Sequence, residues 1–371
     1  MKKILAVLLI MSTIATLAGC QADGPGLGEL FGFGDMFMPH NDTSDIPTDE
    51  PQQVQTQPVE TNPTAPGSDN PYYDCWASYS DYVLPNSASV YYSRPDVSAL
   101  SKEAREIALQ EIYARHGRSF TDPDLQEYFS FRSWYTPGFE TGLNAVEAAN
   151  VFLLENYSRE LSGDINSTPY IRYRPNPSAY LASESDRRYL APSDLKTLDH
   201  DEIVLIRNEI YARKGYQFDS DNLRSYFYAT DWYKPGSNFS TDMLNKYEVG
   251  NVEICKLYER KLEGVSFSSK NVYKVCYYGP NTMMVPYSSD QYLTREFLET
   301  FTDEELVIVR NEISARHGYA FTNKDMQEFF LQCSWYYPST PPGESDLVEF
   351  NDIEEYNRNL VREIEAARGK K

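Results

Sequence analysis

Apolar side chains recur every three or four residues in several stretches of the chain. The clearest stripe is formed by Ile203, Ile206 and Ile210, and residues 306, 309 and 313 repeat it with Leu, Val and Ile. This spacing places the apolar side chains on one face of an α-helix. The pattern therefore predicts short helices that each bury one face.

The same segment occurs three times along the chain. EIYARHG at residues 111–117 returns as EIYARKG at 209–215 and as EISARHG at 312–318. A turn with a Trp-Tyr-x-Pro pattern follows each copy, at residues 134–137, 232–235 and 335–338. Self-similarity at a period of roughly one hundred residues predicts tandem modules of one fold.

Each copy divides into three helices with recognisable start signals. The first helix is expected to end at the glycine of the repeated segment, because a residue without Cβ suits a left-handed C-terminal cap. The third helix opens with an Asn-x-x-Glu capping box in every copy. The predicted N-caps are Ser101, Asp199 and Thr302 for the first helix, Thr121, Asp219 and Thr322 for the second, and Asn144, Asn245 and Asn351 for the third.

An asparagine lies in the middle of the apolar face of each third helix. A buried amide without partners would cost about 1 to 3 kcal/mol. We therefore predict that Asn150, Asn251 and Asn357 form hydrogen bonds with backbone groups. We expect those groups to belong to the Trp-Tyr turn.

An extended, tyrosine-rich arm precedes each set of helices, with residues 82–85, 189–190 and 292–293 as its apolar parts. Three short helices in about 60 residues form a thin core, so the arms are expected to pack on the helices and complete it. The predicted fold is mainly α, with three tandem three-helix modules that each follow a short extended arm. The modules are assigned to residues 71–165, 166–266 and 267–371.

The first twenty residues have the pattern of an export signal. Two lysines precede an apolar run that is too short for a membrane span and that ends in LAGC at residues 17–20. This ending resembles a bacterial lipobox, which implies that Cys20 carries a diacylglyceryl group and anchors the protein to a membrane. An ordinary cleaved signal that ends in cysteine is the alternative. Residues 21–70 are acidic, rich in Pro, Thr and Gln, and without Lys or Arg, which predicts a disordered tether.

The string YARHG at residues 113–117, together with the Trp-Tyr turn and the closing helix, resembles the YARHG domain, a bacterial module named for these five letters. The resemblance covers residues 78 to about 161, 180 to about 263 and 285 to about 367. Copy two departs from the pattern at Lys214, and copy three departs from it at Ser314. The resemblance implies an extracytoplasmic location but no catalytic residues and no ligand.

Charge and residue spacing exclude several kinds of partner. The 371 residues include 34 Lys and Arg against 55 Asp and Glu, a formal net charge of −21. Such a chain repels phosphate backbones and has no basic stripe, so nucleic-acid binding is not expected. No metal or cofactor is expected either, because His116 and His317 follow a glutamate by five residues, a spacing that separates the two side chains on a helix.

Two sets of repeated side chains are candidates for ligand binding. A glutamate and an arginine four residues apart would contribute only about 0.3 to 0.5 kcal/mol if exposed, so the pair is expected to organise a partly buried neighbour. Capture of a carboxylate ligand by the arginine is the alternative. The turn aromatics would suit stacking on a sugar or peptide, but core packing with the tyrosine hydroxyl at the surface is favoured. The candidates are Arg115, Arg213, Arg316, Trp134, Tyr135, Trp232, Tyr233, Trp335 and Tyr336.

Four cysteines follow Cys20. Four thiols outside the cytoplasm permit three pairings, and spacing does not choose among them or exclude free thiols. The other two copies carry apolar residues at the position of Cys255, which predicts that Cys255 is buried. They carry polar residues at the position of Cys333, which predicts that Cys333 is more exposed. The four residues are Cys75, Cys255, Cys276 and Cys333.

No catalytic motif of useful specificity occurs in the sequence, so an enzyme is not expected. The leading hypothesis is a non-catalytic binding or scaffold protein, anchored by lipid on the extracytoplasmic face of the cell membrane, with cell wall or a surface protein as its partner. Tandem copies would add avidity. The alternatives are an envelope hydrolase with an unrecognised carboxylate site and a purely structural spacer.

Overall fold

The computed structural model describes residues 66–76, 81–164, 170, 173 and 176–369. Within these ranges the regular secondary structure is helical and no strand occurs, which confirms the predicted mainly α fold. No helix in them is both long and apolar enough to cross a membrane. The predicted signal peptide at residues 1–20, the lipidated Cys20 and most of the predicted tether at 21–70 lie outside the described residues.

The α-helices of the described residues form three successive sets of four. Each set consists of one short helix followed by three longer ones. The three sets repeat the same order, so the modules share one architecture. The bounds are α1 (Arg94–Ser98), α2 (Lys102–Arg115), α3 (Pro123–Ser130), α4 (Ala145–Ser162), α5 (Pro192–Leu195), α6 (His200–Ala212), α7 (Asp221–Tyr228), α8 (Lys246–Glu263), α9 (Arg295–Leu298), α10 (Asp303–Arg316), α11 (Lys324–Leu331) and α12 (Asp352–Ala367).

A short helix interrupts each arm, which the sequence pattern predicts to be extended. In module one, α1 begins after Ser93, whose backbone amide donates to the Asp96 carboxylate at 2.8 Å, and Pro95 lies in its first turn. Proline fixes φ near the helical value and lacks a donor that the first turn would leave unpaired. The arm still packs on the long helices, because Leu84 and Val97 are buried.

Most helix starts match the predicted caps. The first long helices α2, α6 and α10 begin after Ser101, Asp199 and Thr302, and each of these side chains accepts a hydrogen bond from a backbone amide of the first turn. The third long helices α4, α8 and α12 all begin with the predicted Asn-x-x-Glu capping box. Local cap chemistry therefore sets the starts of the two helices that carry the repeated polar residues.

The second long helix of each module starts one residue later than predicted. In module one the N-cap is Asp122 and not Thr121, because the Asp122 carboxylate accepts a hydrogen bond from the Leu125 amide at 3.1 Å. Phe120 therefore lies two residues before the N-cap, and its ring stacks on Phe129 with 4.8 Å between centroids. The equivalent caps are Ser220 and Asn323 in place of Asp219 and Thr322.

A left-handed glycine ends the first long helix of each module, as predicted. The φ angle is 87° at Gly117, 82° at Gly215 and 75° at Gly318, a region that a residue with a Cβ rarely adopts. The Gly117 carbonyl accepts a hydrogen bond from the Gly138 amide at 2.9 Å, and the other modules form equivalent bonds of 2.9 and 2.8 Å. Each glycine therefore fixes the position of the chain that follows the Trp-Tyr turn.

Adjacent modules pack on each other through the third long helix of one and the second long helix of the next. Helix α4 contacts α7, and α8 contacts α11. One apolar core includes Leu154 of module one and Phe227 of module two. Arg94 of module one binds its own Glu160 at 2.9 Å and Asp231 of module two at 2.6 Å. The modules thus share buried contacts and do not pack as independent units.

Gly250 in α8 lets module three approach module two closely. A Cβ at this position would lie 2.5 Å from the ring of Tyr189 and 2.6 Å from the ring of Pro341. Alanine ordinarily stabilises a helix by about 1 kcal/mol relative to glycine. Because a Cβ at these distances forces the rings to shift, we expect Gly250→Ala to lower the free energy of unfolding by about 1 to 3 kcal/mol in denaturant titrations. Gly142→Ala, whose Cβ meets open space, is the control, and a more stable Gly250→Ala protein would contradict the expectation.

Candidate functional site

The glutamate of each repeated segment binds the backbone of the arm. In module one the Glu111 carboxylate accepts hydrogen bonds from the amides of Val83 at 2.8 Å and Leu84 at 3.2 Å. Glu209 and Glu312 bind the equivalent amides at 2.6 to 3.1 Å. Two adjacent amides that converge on one carboxylate hold a bend of the arm against the first long helix.

The arginine four residues later holds the arm at a second point. Arg115 donates to the hydroxyl of the buried Ser87, and its guanidinium lies 3.7 Å from Glu111. The Arg115 side chain is 16% exposed and the Glu111 side chain is fully buried. This geometry favours the organising role over capture of a carboxylate ligand. The same contact is made by Arg213 with Ser185 and by Arg316 with Ser288.

The asparagine of each third long helix binds the same arm three times. The Asn251 carbonyl oxygen accepts from the Leu190 amide at 2.7 Å, and its amide nitrogen donates to the carbonyls of Ser185 and Arg188 at 2.8 Å each. The prediction of backbone partners is confirmed, but the partners lie in the arm and not in the Trp-Tyr turn, because the third helix packs along the arm. Equivalent bonds of 2.8 to 2.9 Å are made by Asn150 and Asn357.

We call these three side chains the arm clasp of each module. Together they connect the first and third long helices to one segment of the arm. These polar side chains bond to groups of their own module. Their recurrence in all three copies is therefore explained by the fold and needs no ligand. The clasp residues are Glu111, Arg115 and Asn150 in module one, Glu209, Arg213 and Asn251 in module two, and Glu312, Arg316 and Asn357 in module three.

Burial changes the acidity of the clasp glutamates. It raises the pKa of Glu111, Glu209 and Glu312 above the ordinary value, against the opposing effect of two amide hydrogen bonds and the nearby arginine. Raised carboxyl pKa values also occur in catalytic acids. Here both carboxylate oxygens already accept amide hydrogen bonds, so neither is directed at a substrate.

The residue before each helix-ending glycine pairs with the capping glutamate of the third long helix. His and Lys both donate to a carboxylate, so the exchange to lysine in module two keeps this contact. Within the described residues, no group of three or more His, Cys, Asp and Glu side chains is arranged to hold a metal ion. The pairs are His116 with Glu147 at 2.9 Å, Lys214 with Glu248 at 2.9 Å and His317 with Glu354 at 2.8 Å.

The tryptophans of the turns belong to aromatic clusters. Trp134 stacks on Tyr82 with 4.8 Å between centroids and meets Phe129 edge-on at 6.1 Å. Each tryptophan is half-buried, and its own module supplies the ring that packs on it. The equivalent contacts are Trp232 with Tyr180 at 4.9 Å and Phe227 at 5.9 Å, and Trp335 with Phe330 at 6.0 Å.

The tyrosine after the tryptophan lies deeper than expected in modules two and three. Tyr233 and Tyr336 are only 1% exposed. The hydroxyls of Tyr135, Tyr233 and Tyr336 donate to the carbonyl of the residue after the helix-ending glycine, at 3.0, 2.7 and 2.9 Å. The expectation of a hydroxyl at the surface is wrong for Tyr233 and Tyr336, because the chain turns at the glycine and presents that carbonyl to the ring.

The cysteines of the modules are free thiols. Burial of Cys255 is confirmed, but the expectation that Cys333 is more exposed is wrong, since it is 1% exposed in the core that joins modules two and three. There its carbonyl accepts a hydrogen bond from Lys261 of α8 at 2.7 Å. Burial raises the pKa of Cys276 to about 11 and that of Cys333 to about 12, which disfavours the reactive thiolate. The free residues are Cys75, Cys255, Cys276 and Cys333.

A second repeat, absent from the sequence predictions, binds the segments before α1 and α9 to the second long helices. Its first copy begins at Asn70, so the range predicted as a disordered tether ends too late. Asn70 donates to the Asp124 carbonyl and to the Glu127 carboxylate, both at 2.9 Å. Asn271 makes the equivalent bonds to α11 at 3.0 and 2.8 Å. The signal in the sequence is Asn-x-Tyr-x-x-Cys at residues 70–75 and 271–276, which precede the repeated glycines by equal distances.

Comparison with known protein families matches the YARHG domain at residues 80–159, 178–260 and 281–367. No curated protein and no solved structure matches the chain. Each matched range contains the bound part of one arm and one complete arm clasp, so the family pattern and the repeated contacts coincide. The chain therefore belongs to the YARHG domain family, and it carries the domain in three tandem copies.

Proposed function

We propose that this chain is a lipid-anchored protein of the bacterial cell envelope whose three YARHG modules form a non-catalytic binding or scaffold body on the extracytoplasmic face. The anchor would be a diacylglyceryl group on Cys20, which holds a protein at a membrane more firmly than one acyl chain does. The LAGC ending of an export-like segment supports this part of the proposal.

The arm clasp is the observation that carries the scaffold role. In all three modules the repeated polar side chains bind the chain's own arm, so recurrence of these residues serves the architecture of the module. Shared cores between neighbouring modules hold their outer surfaces at set distances. Such an arrangement suits several simultaneous contacts with a repetitive partner, such as cell wall or a surface protein.

The anchor is tested by Cys20→Ser in a bacterial host that lipidates exported proteins. We expect the wild-type chain to enter the detergent phase of Triton X-114 and to incorporate a labelled fatty acid, since both depend on acylation of the thiol. Cys20→Ser is expected to do neither, and Cys75→Ser, which keeps the lipobox-like ending, is expected to behave as wild type. A labelled Cys20→Ser chain would contradict the anchor.

The binding role is tested separately with the unlipidated Cys20→Ser chain immobilised on beads. We expect it to retain a defined component from purified cell wall or from an envelope extract, and to release it on competition with free chain. Retention of nothing from either source would contradict a binding role. The continuous packing between modules favours a structural spacer in that case, because a spacer needs stiffness and no ligand.

A further inference from the structure

Module three contains an arginine that the repeat does not predict. Arg358 in α12 occupies the position that Val252 holds in module two, and Ser314 in α10 takes the position of Tyr211. In module two, Tyr211 and Val252 pack together in a small apolar cluster. The paired exchange therefore removes an apolar contact and introduces a cation at one place of the third module.

The guanidinium of Arg358 has no hydrogen-bond acceptor among the residues that the structure describes. Its Nε is buried without a partner, and its central carbon lies 3.6 Å from the centroid of the Phe350 ring. A buried N–H donor without an acceptor is costly. Other arginines with a buried unpaired nitrogen donate through another nitrogen, namely Arg132, Arg207, Arg213, Arg224 and Arg316.

Two further arginines belong to the same part of module three. Arg362 lies one turn after Arg358 on α12, and Arg310 projects from α10, which packs against α12. Arg310 and Arg362 line a groove of about 850 Å³. Arg310 is paired with Glu365 at 2.9 Å, whereas Arg362 donates to the side-chain oxygen of Asn359 at 3.0 Å. The acidic residues that line the groove are Asp303, Glu304 and Glu365.

Two arginines of like charge act on Arg358, although the chain as a whole is acidic. Burial and the charges of Arg362 and Arg310 lower the pKa of Arg358 to about 10, and the charges of Glu355 and Glu354 oppose this only in part. Arginines that lie close together repel one another, and an anion bound between Arg358 and Arg362 would offset that repulsion.

We propose that this face of module three binds an oxyanion group, a phosphate or a carboxylate, between Arg358 and Arg362. Guanidinium groups recognise both oxyanions through two parallel N–H donors. The first two modules lack the site, because they carry valine at the position of Arg358, and Glu155 and Lys256 at that of Arg362. The inference rests on module three alone and stands whether or not Cys20 carries lipid.

Inorganic phosphate is the probe for the full chain, with ionic strength held constant by chloride. Titration is expected to shift the Nε–H NMR signals of Arg358 and Arg362, and calorimetry to give a dissociation constant. Arg358→Val installs the residue of the other modules and should weaken binding about tenfold or more, the effect of losing a charged hydrogen-bond donor. The double variant Ser314→Tyr with Arg358→Val restores the pair of module two, and should fold and lose binding equally. Arg187→Gln removes an arginine whose side chain is 68% exposed and should change nothing.

Two further measurements identify the source of the oxyanion. Stronger retention on phosphatidylglycerol vesicles than on phosphatidylcholine vesicles, lost in Arg358→Val, would support a lipid headgroup. Binding of phosphate or acetate without vesicle retention would support a soluble or polymer-borne group. Equal phosphate binding by wild type and Arg358→Val would overturn the proposal, as would a wild-type chain that binds neither phosphate nor acetate. Arg358 would then serve only to pack on Phe350.

Discussion

Replacing Asn251 by alanine is expected to lower the free energy of unfolding by about 3 to 5 kcal/mol. The substitution removes three hydrogen bonds and leaves the amide of Leu190 and the carbonyls of Ser185 and Arg188 without their partner. Each buried polar group that loses its partner costs about 1 to 3 kcal/mol. Denaturant-induced unfolding followed by far-UV circular dichroism measures the change.

Asn238→Ala is the matched control, because that side chain is exposed and bonds only to the neighbouring Ser237 among the residues described. Asn251→Asp is a second variant that keeps an acceptor for the Leu190 amide. Its second carboxylate oxygen would face the carbonyl oxygens of Ser185 and Arg188, which are acceptors too. This variant is therefore expected to be destabilised as well. A loss below about 1 kcal/mol in Asn251→Ala would show that the arm does not depend on this side chain.

Replacing Glu209 by glutamine is expected to cost about 2 to 4 kcal/mol of unfolding free energy, although the two side chains have nearly the same shape. The Glu209 carboxylate accepts from the amides of Leu181 at 2.6 Å and Ala182 at 3.1 Å. Glutamine would direct its own amide donor at one of these two donors. Arg213, whose guanidinium lies 3.7 Å from the carboxylate, would also lose its counter-charge.

Glu184→Gln serves as the control for this prediction, since its side chain is 47% exposed. The double variant of Glu209→Gln with Asn251→Ala gives a sharper test. Because both residues hold the same arm, release of the arm by one substitution should reduce the effect of the other. We expect the two losses to sum to more than the loss in the double variant by at least about 0.5 kcal/mol. Strictly additive losses would argue against a shared clasp.

Much of the local structure follows from the sequence, because a cap depends on residues within one turn of it. The capping boxes at Asn144, Asn245 and Asn351 are examples, since side chain and backbone partner are three residues apart. The second helices show the limit of this argument. Thr121 and Asp122 both suit an N-cap, and the pattern alone does not distinguish them.

The sequence predicts only part of the arm clasp, because the groups that its side chains bind are distant in the chain. Burial of Asn251 on an apolar face requires partners, and the spacing of Glu209 and Arg213 indicates a partly buried neighbour. Which groups satisfy them depends on where the arm lies. The partners are 27 to 66 residues away in the chain, and no local rule selects them.

The sequence by itself determined three tandem helical modules, the caps of their first and third long helices, the left-handed glycines that end the first helices and the acidic character of the chain. These depend on composition and on residues close together in the chain. Only the tertiary structure decided that the arm receives the repeated polar groups, that Tyr233 and Cys333 are buried, and that neighbouring modules share cores. These features arise from packing between segments far apart in the chain, where shape and the need to pair every buried polar group act together.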